Sequence, residues 1–189
     1  MDLFYWLKNY VRYPLQLGAI LPTSSSACRL MAKGISSSET NLVLELGAGT
    51  GTVTQALIRK GVLEQNLVLV EINREFCNIL ESKYPKAKIV CEDVLGFFQD
   101  SDRFAETKFD AIISGLPLLS IGKAQRELIC DLCIKSLSDR GHFVQITYFL
   151  RCSFPASIVR KYNLKAKLNG FTFFNFPPAF VWDIRRNVL

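Results

Sequence analysis

Leu42-Val43-Leu44-Glu45-Leu46-Gly47-Ala48-Gly49-Thr50-Gly51 joins an apolar run to three alternating glycines, and residues 52–60 then carry the spacing of a helix. Strand, glycine loop and helix in that order make a surface on which a ligand can rest directly on the backbone. Alternating glycines let the chain turn sharply and remove the Cβ atoms that would hold a ligand away. A helix opening at Thr52 turns its first, unsatisfied N–H groups toward the same place. Two carboxylates frame the loop: Glu45 near the end of the first apolar run, and Glu71, twenty residues after Gly51, closing the run Leu67 to Val70. A nicotinamide or flavin site would want G-x-G-x-x-G, but Thr52 stands three residues after Gly49 and Thr54 three after Gly51.

The E-x-G-x-G-x-G pattern with its second acid resembles that of class I S-adenosylmethionine-dependent methyltransferases, in which a carboxylate after the second strand holds both ribose hydroxyls. The resemblance implies S-adenosyl-L-methionine as cofactor and S-adenosyl-L-homocysteine as product. It assigns Gly47, Gly49 and Gly51 to the methionine moiety, Glu71 to the ribose and Asp93 to the adenine amine, with Ala48, Ile72 and Val94 beside them as further cofactor contacts. Glu45 supports the methionine ammonium or the loop itself, and Thr23 and Ser114 are further candidate contacts. Asp93 also has a purely structural reading as a helix N-cap, and both roles can hold at once. Methyl transfer needs proximity, alignment and a nucleophile with a free lone pair. It needs no metal, and none is expected.

The elements that must position these residues follow from the hydrophobic pattern. Strands are expected over 42–46, 67–71, 87–91, 109–114 and 141–150, with helices between them carrying Val53, Ala56 and Leu57, then Phe76, Ile79 and Leu80, then Leu128, Ile129, Leu132 and Leu137. Such alternation calls for a parallel sheet covered by helices on both faces, with ligands gathering at the carboxyl ends of the strands. Glu45, Glu71, Asp93 and Ser114 all fall at those ends. After Leu150 the helical alternation stops, and 171–176 and 179–184 fit an antiparallel terminal pair on the sheet edge. The expected architecture is a single α/β domain with the class I methyltransferase fold, a Rossmann-like, mostly parallel seven-stranded sheet with helices on both faces and an antiparallel C-terminal pair. Residues 1–13 are expected to form an amphipathic helix and 14–40 a helical cap over the cofactor site.

At 189 residues one domain can bury its own core without staples. No stretch reaches the roughly 18 uncharged apolar residues that a membrane span needs. The N-terminus, with Asp2, lacks a signal-peptide pattern. The six cysteines lie in apolar segments and are expected as free thiols, Cys130 and Cys133 included, since C-x-x-C here has no second pair. Residues 151–189 carry seven cations against Asp183 alone, which accounts for the whole formal excess of +6. That asymmetry points to an anionic partner, a nucleic acid or a membrane surface, or else to a solvated basic face. Residues 1–13 place Leu3, Leu7 and Tyr10 on one helical stripe, widened by Phe4, Trp6 and Val11, with Lys8 and Arg12 beside them. This composition suits the boundary between acyl chains and headgroups, or a helix docked on the core.

The turn after the fourth strand bears on the acceptor. Amino-methyltransferases acting on adenine or cytosine have an Asn or Asp there, followed by Pro-Pro and an aromatic ring. This chain has Ser114-Gly115-Leu116-Pro117-Leu118-Leu119, without amide or ring. Together with Gly18-Ala19-Ile20-Leu21-Pro22-Thr23-Ser24, Phe143-Val144-Gln145-Ile146-Thr147-Tyr148 and Pro177-Pro178-Ala179-Phe180-Val181-Trp182, that segment is similar to the short bacterial phospholipid N-methyltransferases. The resemblance implies stepwise methylation of phosphatidylethanolamine toward phosphatidylcholine on the cytoplasmic membrane face. It also implies a phospholipid substrate, peripheral attachment to anionic lipid through the N-terminal helix, and no nucleic-acid partner. Tyr148, Ser114 and Tyr13 are the candidate catalytic residues, with Trp182 a candidate lining for an alkylated ammonium. His142, the one histidine, lies early in the fifth strand, away from the site. The alternatives are a relative of the ribosomal RNA adenine dimethyltransferases and a non-catalytic lipid-binding module on the same fold.

Overall fold

The computed structural model describes residues 23–35, 42–99, 107–175 and 177–187. The helix expected over 1–13, Tyr13 with it, and the Gly18–Pro22 part of the cap lie outside the described residues. The described chain begins with α1 (Ser25–Met31), capped by Ser24, whose Oγ accepts the Ala27 N–H at 3.3 Å. It continues through β1 (Val43–Leu46), α2 (Thr52–Arg59), β2 (Leu67–Val70), α3 (Arg74–Lys83), β3 (Lys88–Val90), α4 (Val94–Gln99) and β4 (Phe109–Ser114). It closes with α5 (Lys123–Ser136), β5 (Leu137–Thr147), α6 (Ala156–Lys161), β6 (Leu164–Thr172) and β7 (Ala179–Arg186).

The seven strands form one sheet in the order β3-β2-β1-β4-β5-β7-β6. The first five are parallel, and β7 runs antiparallel to both β5 and β6. Every residue of β1 and β2 is buried, which is why both read as near-continuous apolar runs, Glu45 apart: helices cover each face of the sheet. One core layer gathers α1 and α2 around Val43, Leu57, Leu69 and Val181, and the other gathers α4, α5 and α6 around Leu44, Phe97, Ile112 and Phe143. Each fully buried Leu, Ile or Phe contributes about 1.5–3 kcal/mol. The sheet order reverses between β1 and β4, so the carboxyl ends of β1, β2 and β4 open a crevice there.

Three expectations are revised. Strand β5 starts at Leu137, directly from the end of α5, rather than at Gly141. Helix α6 interrupts the stretch in which helices were expected to stop, and it begins behind Pro155, whose fixed φ suits a helix entrance. Strand β6 starts at Leu164, before the expected Phe171, and carries a register shift between Leu168 and Gly170. A Cβ at Gly170 would lie 2.6 Å from a terminal carbon of Leu30, which would have to shift to admit it.

The candidate active site

The glycine loop is held from two sides. The N–H groups of Gly47 and Ala48 both donate to the Val70 carbonyl, at 2.8 and 3.2 Å, which ties the loop to the end of β2. The Gly49 N–H donates to Glu71 Oε2 at 2.8 Å, and Glu71 Oε1 accepts from the Asn73 N–H at 2.9 Å. A carboxylate oxygen has lone pairs for more than one donor, so Glu71 is fixed in place and still able to accept hydroxyls. Asn73 caps α3, accepting from the N–H groups of Glu75 and Phe76, which anchors the turn behind Glu71.

The three glycines do different work. All three have positive φ, which side-chain-bearing residues rarely adopt. At Gly49 a Cβ would meet nothing within 4 Å, so this residue faces the open crevice. At Gly47 it would come 3.5 Å from Leu116 on the loop after β4. At Gly51 it would fall 2.5 Å from the Tyr84 ring, and the Tyr84 hydroxyl donates to the Gly51 carbonyl at 2.8 Å. Gly51 is therefore packed under a core tyrosine on the side where a Cβ would stand.

A cavity of about 180 Å³ lies beside the loop, lined by Gly47, Glu71, Ile72, Asp93, Val94 and Leu116 among others. Ile72 is 71% exposed at its lip, an apolar side chain left in water unless a ligand covers it. Asp93 Oδ1 caps α4, accepting from Leu95 and Gly96 N–H at 2.8 and 3.2 Å, while the residue also lines the cavity. The expected cofactor contacts Gly47, Glu71, Ile72, Asp93 and Val94 are thus brought together.

Other candidates stand elsewhere. Glu45 is buried, its Oε2 accepting from the Thr54 hydroxyl at 2.7 Å, so it supports the loop from behind. Burial pushes its carboxyl up to about 8, only partly offset by the bonds from Thr54. Ala48 is core. Ser114 is fully buried, with its Oγ accepting from the Leu116 N–H at 3.3 Å. Thr23 lines a second hollow, between α1 and α2, which it shares with Cys28, Arg29 and Thr52.

Tyr148 lines a third, smaller cavity with Leu116, Pro117, Thr147 and Ser153. Leu116 borders both this cavity and the one beside Glu71, so the two are neighbours across a single side chain. Gln145, which sequence reading did not single out, clamps the loop between them. Its Nε2 donates to the Leu116 carbonyl at 2.9 Å, and the residue is buried between Val144 and Ile146 of β5. A glutamine in such a run was the available signal, since buried amides need partners. Trp182 is half-buried against the second core layer.

His142 Nδ1 stands 3.6 Å from Asp183 Oδ2, and His142 pairs with Ala111, below the strand ends. Cys130 and Cys133 are buried on α5, and burial pushes the Cys130 thiol up to about 12. Among the described residues no group of three or more His, Cys, Asp or Glu side chains could hold a metal. No helix among them is long and apolar enough to cross a membrane.

The sheet order, the glycine loop and the acid after β2 define a class I methyltransferase. Residues 43–141, more than half of the chain, match the family described as Methyltransferase domain, and the chain belongs to it. It is an S-adenosylmethionine-dependent methyltransferase. The chain is 24% identical over 149 residues to the ornithine lipid N-methyltransferase of Singulisphaera acidiphila, covering 77% of this chain and 78% of that one. It is 30% identical over 81 residues to ribosomal RNA small subunit methyltransferase A of Maridesulfovibrio salexigens, where the match spans 43% of this chain and only 30% of the relative. Among solved structures, the 1,6-didemethyltoxoflavin-N1-methyltransferase of Burkholderia thailandensis has the same fold at a TM-score of 0.67 and 15% identity, covering 96% of this chain and 88% of that one. The O-methyltransferase of Bacillus cereus in complex with SAH aligns at 0.65 and 14%, covering 98% and 92%.

Proposed function

We propose that the chain methylates the amino headgroup of a membrane lipid, phosphatidylethanolamine on the way to phosphatidylcholine being the first candidate. The observation that carries this reading is the likeness to an ornithine lipid N-methyltransferase, which runs through about three quarters of both chains. The likenesses to ribosomal RNA small subunit methyltransferase A reach 75% of this chain, but the fuller of the two takes in only 51% of the relative's length. The acceptor side agrees with a lipid amine better than with a base. Leu118, at the position where a base-stacking ring would be wanted, is 1% exposed and packed in the core.

The residues present fit the cofactor. Glu71 would accept the ribose hydroxyls, Asp93 and the backbone of Val94 would meet the adenine, Ile72 would cover its apolar face, and Gly47 and Gly49 would carry the methionine part. Bound S-adenosylmethionine would supply a methyl group activated by a sulfonium. The chain's own task is to bring a deprotonated amine to that group in line and to keep water out. Tyr148, across Leu116 from the cofactor cavity, is the candidate to orient the amine, and aromatic faces suit the increasingly alkylated ammonium. Tyr13 remains a candidate for the same lining.

Headgroup analysis of membranes from cells expressing the chain, beside cells expressing Glu71→Ala, tests this. Methylated aminolipids with the natural chain alone support it, and identical headgroup profiles contradict it.

A further inference from the structure

The turn between β6 and β7 carries the most exposed large apolar side chains of the described fold. Phe174 is 88% exposed, Phe173 74% and Phe171 54%. They do not belong to a slack loop. The Thr172 hydroxyl oxygen accepts the Phe174 N–H at 3.1 Å, and Asn175 donates from Nδ2 to the Pro177 carbonyl at 2.8 Å. Asn175 Oδ1 also accepts the Ser24 N–H at 2.9 Å, pinning the turn to the start of α1. Phe171 and Phe173 meet edge to face at 5.5 Å, and Phe171 lies against Phe180. The rings are held outward by a built turn.

Register fixes where this turn stands. Thr147 pairs with Phe180, and Thr172 pairs with Ala179, so residues 148–150 and 173–175 leave the sheet at the same end. Because β5 is parallel to β4, that is the end bearing Glu71 and the Tyr148 cavity. Leu150, 65% exposed, adds an aliphatic side chain to this rim, and Arg151 follows it. No carboxylate occurs between Asp139 and Asp183. Lys165 and Lys167 are exposed along β6, the free edge of the sheet. Several other cations of the region are already engaged: Lys161 with Asp131, Arg185 with Asp183, and Arg186 with the Ile134 carbonyl.

We infer that Phe171, Phe173, Phe174 and Leu150 form a wedge that enters the acyl boundary of an anionic bilayer, setting the Tyr148 cavity against the headgroups. This rests on the aminolipid reading above. An apolar tip with exposed lysines further along the same edge strand matches a surface that is apolar below and negative at its face. Single-stranded nucleic acid also takes aromatic and cationic partners. It stacks on free ring faces, however, whereas Phe171 and Phe173 are taken up with each other edge to face and Leu150 offers no ring at all.

The test uses the full chain and phosphatidylethanolamine vesicles with and without phosphatidylglycerol. F173S/F174S is expected to lower co-sedimentation with the anionic vesicles by about tenfold or more, from the apolar surface no longer buried. It should leave methylation of a short-chain, monomeric phosphatidylethanolamine unchanged. In a second variant, F174W, brominated lipids should quench the emission that the new indole adds to that of Trp6 and Trp182, read as the difference from the natural chain. Unaltered vesicle binding by F173S/F174S together with an unquenched F174W overturns the wedge. So does a variant that loses affinity for a single-stranded RNA oligonucleotide while keeping its vesicle binding. If the natural chain methylates neither lipid form yet F174W is quenched, the wedge stands and the aminolipid reading falls.

Discussion

The Glu71 carboxylate accepts the Gly49 N–H at 2.8 Å, fastening the crevice-facing glycine to the end of β2. The same oxygen pair takes the Asn73 N–H, so one side chain sets the loop and the turn before α3 together. Glu71→Ala should therefore weaken cofactor affinity and loosen the loop at once. Charge-assisted hydrogen bonds contribute about 1.5–3 kcal/mol, which is a loss of roughly 10- to 150-fold in affinity. Glu71→Gln, keeping one acceptor, should fall between. Calorimetric titration with S-adenosylhomocysteine checks the order, and equal affinity in all three proteins would contradict it.

Gly49 and Gly51 should respond differently to alanine. Gly51→Ala combines positive φ with a Cβ 2.5 Å from the Tyr84 ring, so backbone strain and overpacking should cost about 2–4 kcal/mol of stability. Gly49→Ala meets no atom within 4 Å and should cost about 1–2 kcal/mol from φ alone, while losing cofactor affinity. Urea unfolding beside calorimetry separates the two. A larger stability loss at Gly49 would refute the division of roles.

Glu45 ties stability to pH. Its folded pKa, raised from the ordinary 4.5 to about 8 chiefly by burial, means the folded chain holds a proton that the unfolded chain releases. The stabilisation is complete below the lower value and fades as pH rises through the higher one. Glu45→Gln, an uncharged mimic of the protonated acid, should flatten that decline, its melting temperature gaining on the natural chain between about pH 4.5 and about pH 8. Parallel melting curves across that interval would show that Glu45 does not carry the effect.

Tyr148→Phe addresses the acceptor side. If the hydroxyl orients the amine, turnover should fall by about tenfold or more, with cofactor affinity unchanged, since the cavity beside Glu71 lies across Leu116. Equal turnover with an aminolipid would remove Tyr148 from that role.

Most of the parallel half was legible in the sequence because local pattern and tertiary position agree there. Strands β1, β2 and β4 are mostly apolar and are followed by Gly or an acid, with only Glu45, Asp110 and Ser114 polar among them, and doubly covered strands read that way. Strand β5 was placed too late because Ser138, Asp139 and Arg140 interrupt its apolar pattern near the sheet's amino end. The alternation Leu164-Lys165-Ala166-Lys167-Leu168 is an edge-strand pattern, but Gly170 and the register shift mask its continuity with Phe171. At the site, Glu71, Ile72 and Asp93 were readable from their position after strands. The division of labour among the glycines was not, because Tyr84, which fills the space over Gly51, lies 33 residues away in sequence. Gln145 reaches Leu116 across 29 residues, a contact that spacing alone cannot give.

Mixing the purified chain with methyl-labelled S-adenosylmethionine and phosphatidylethanolamine vesicles, then resolving the lipids by mass spectrometry, is the most direct trial of lipid amine methylation. Label should enter the headgroup nitrogen and vanish with Glu71→Ala. Label absent from every aminolipid offered, but present on adenine of added ribosomal RNA, would contradict it.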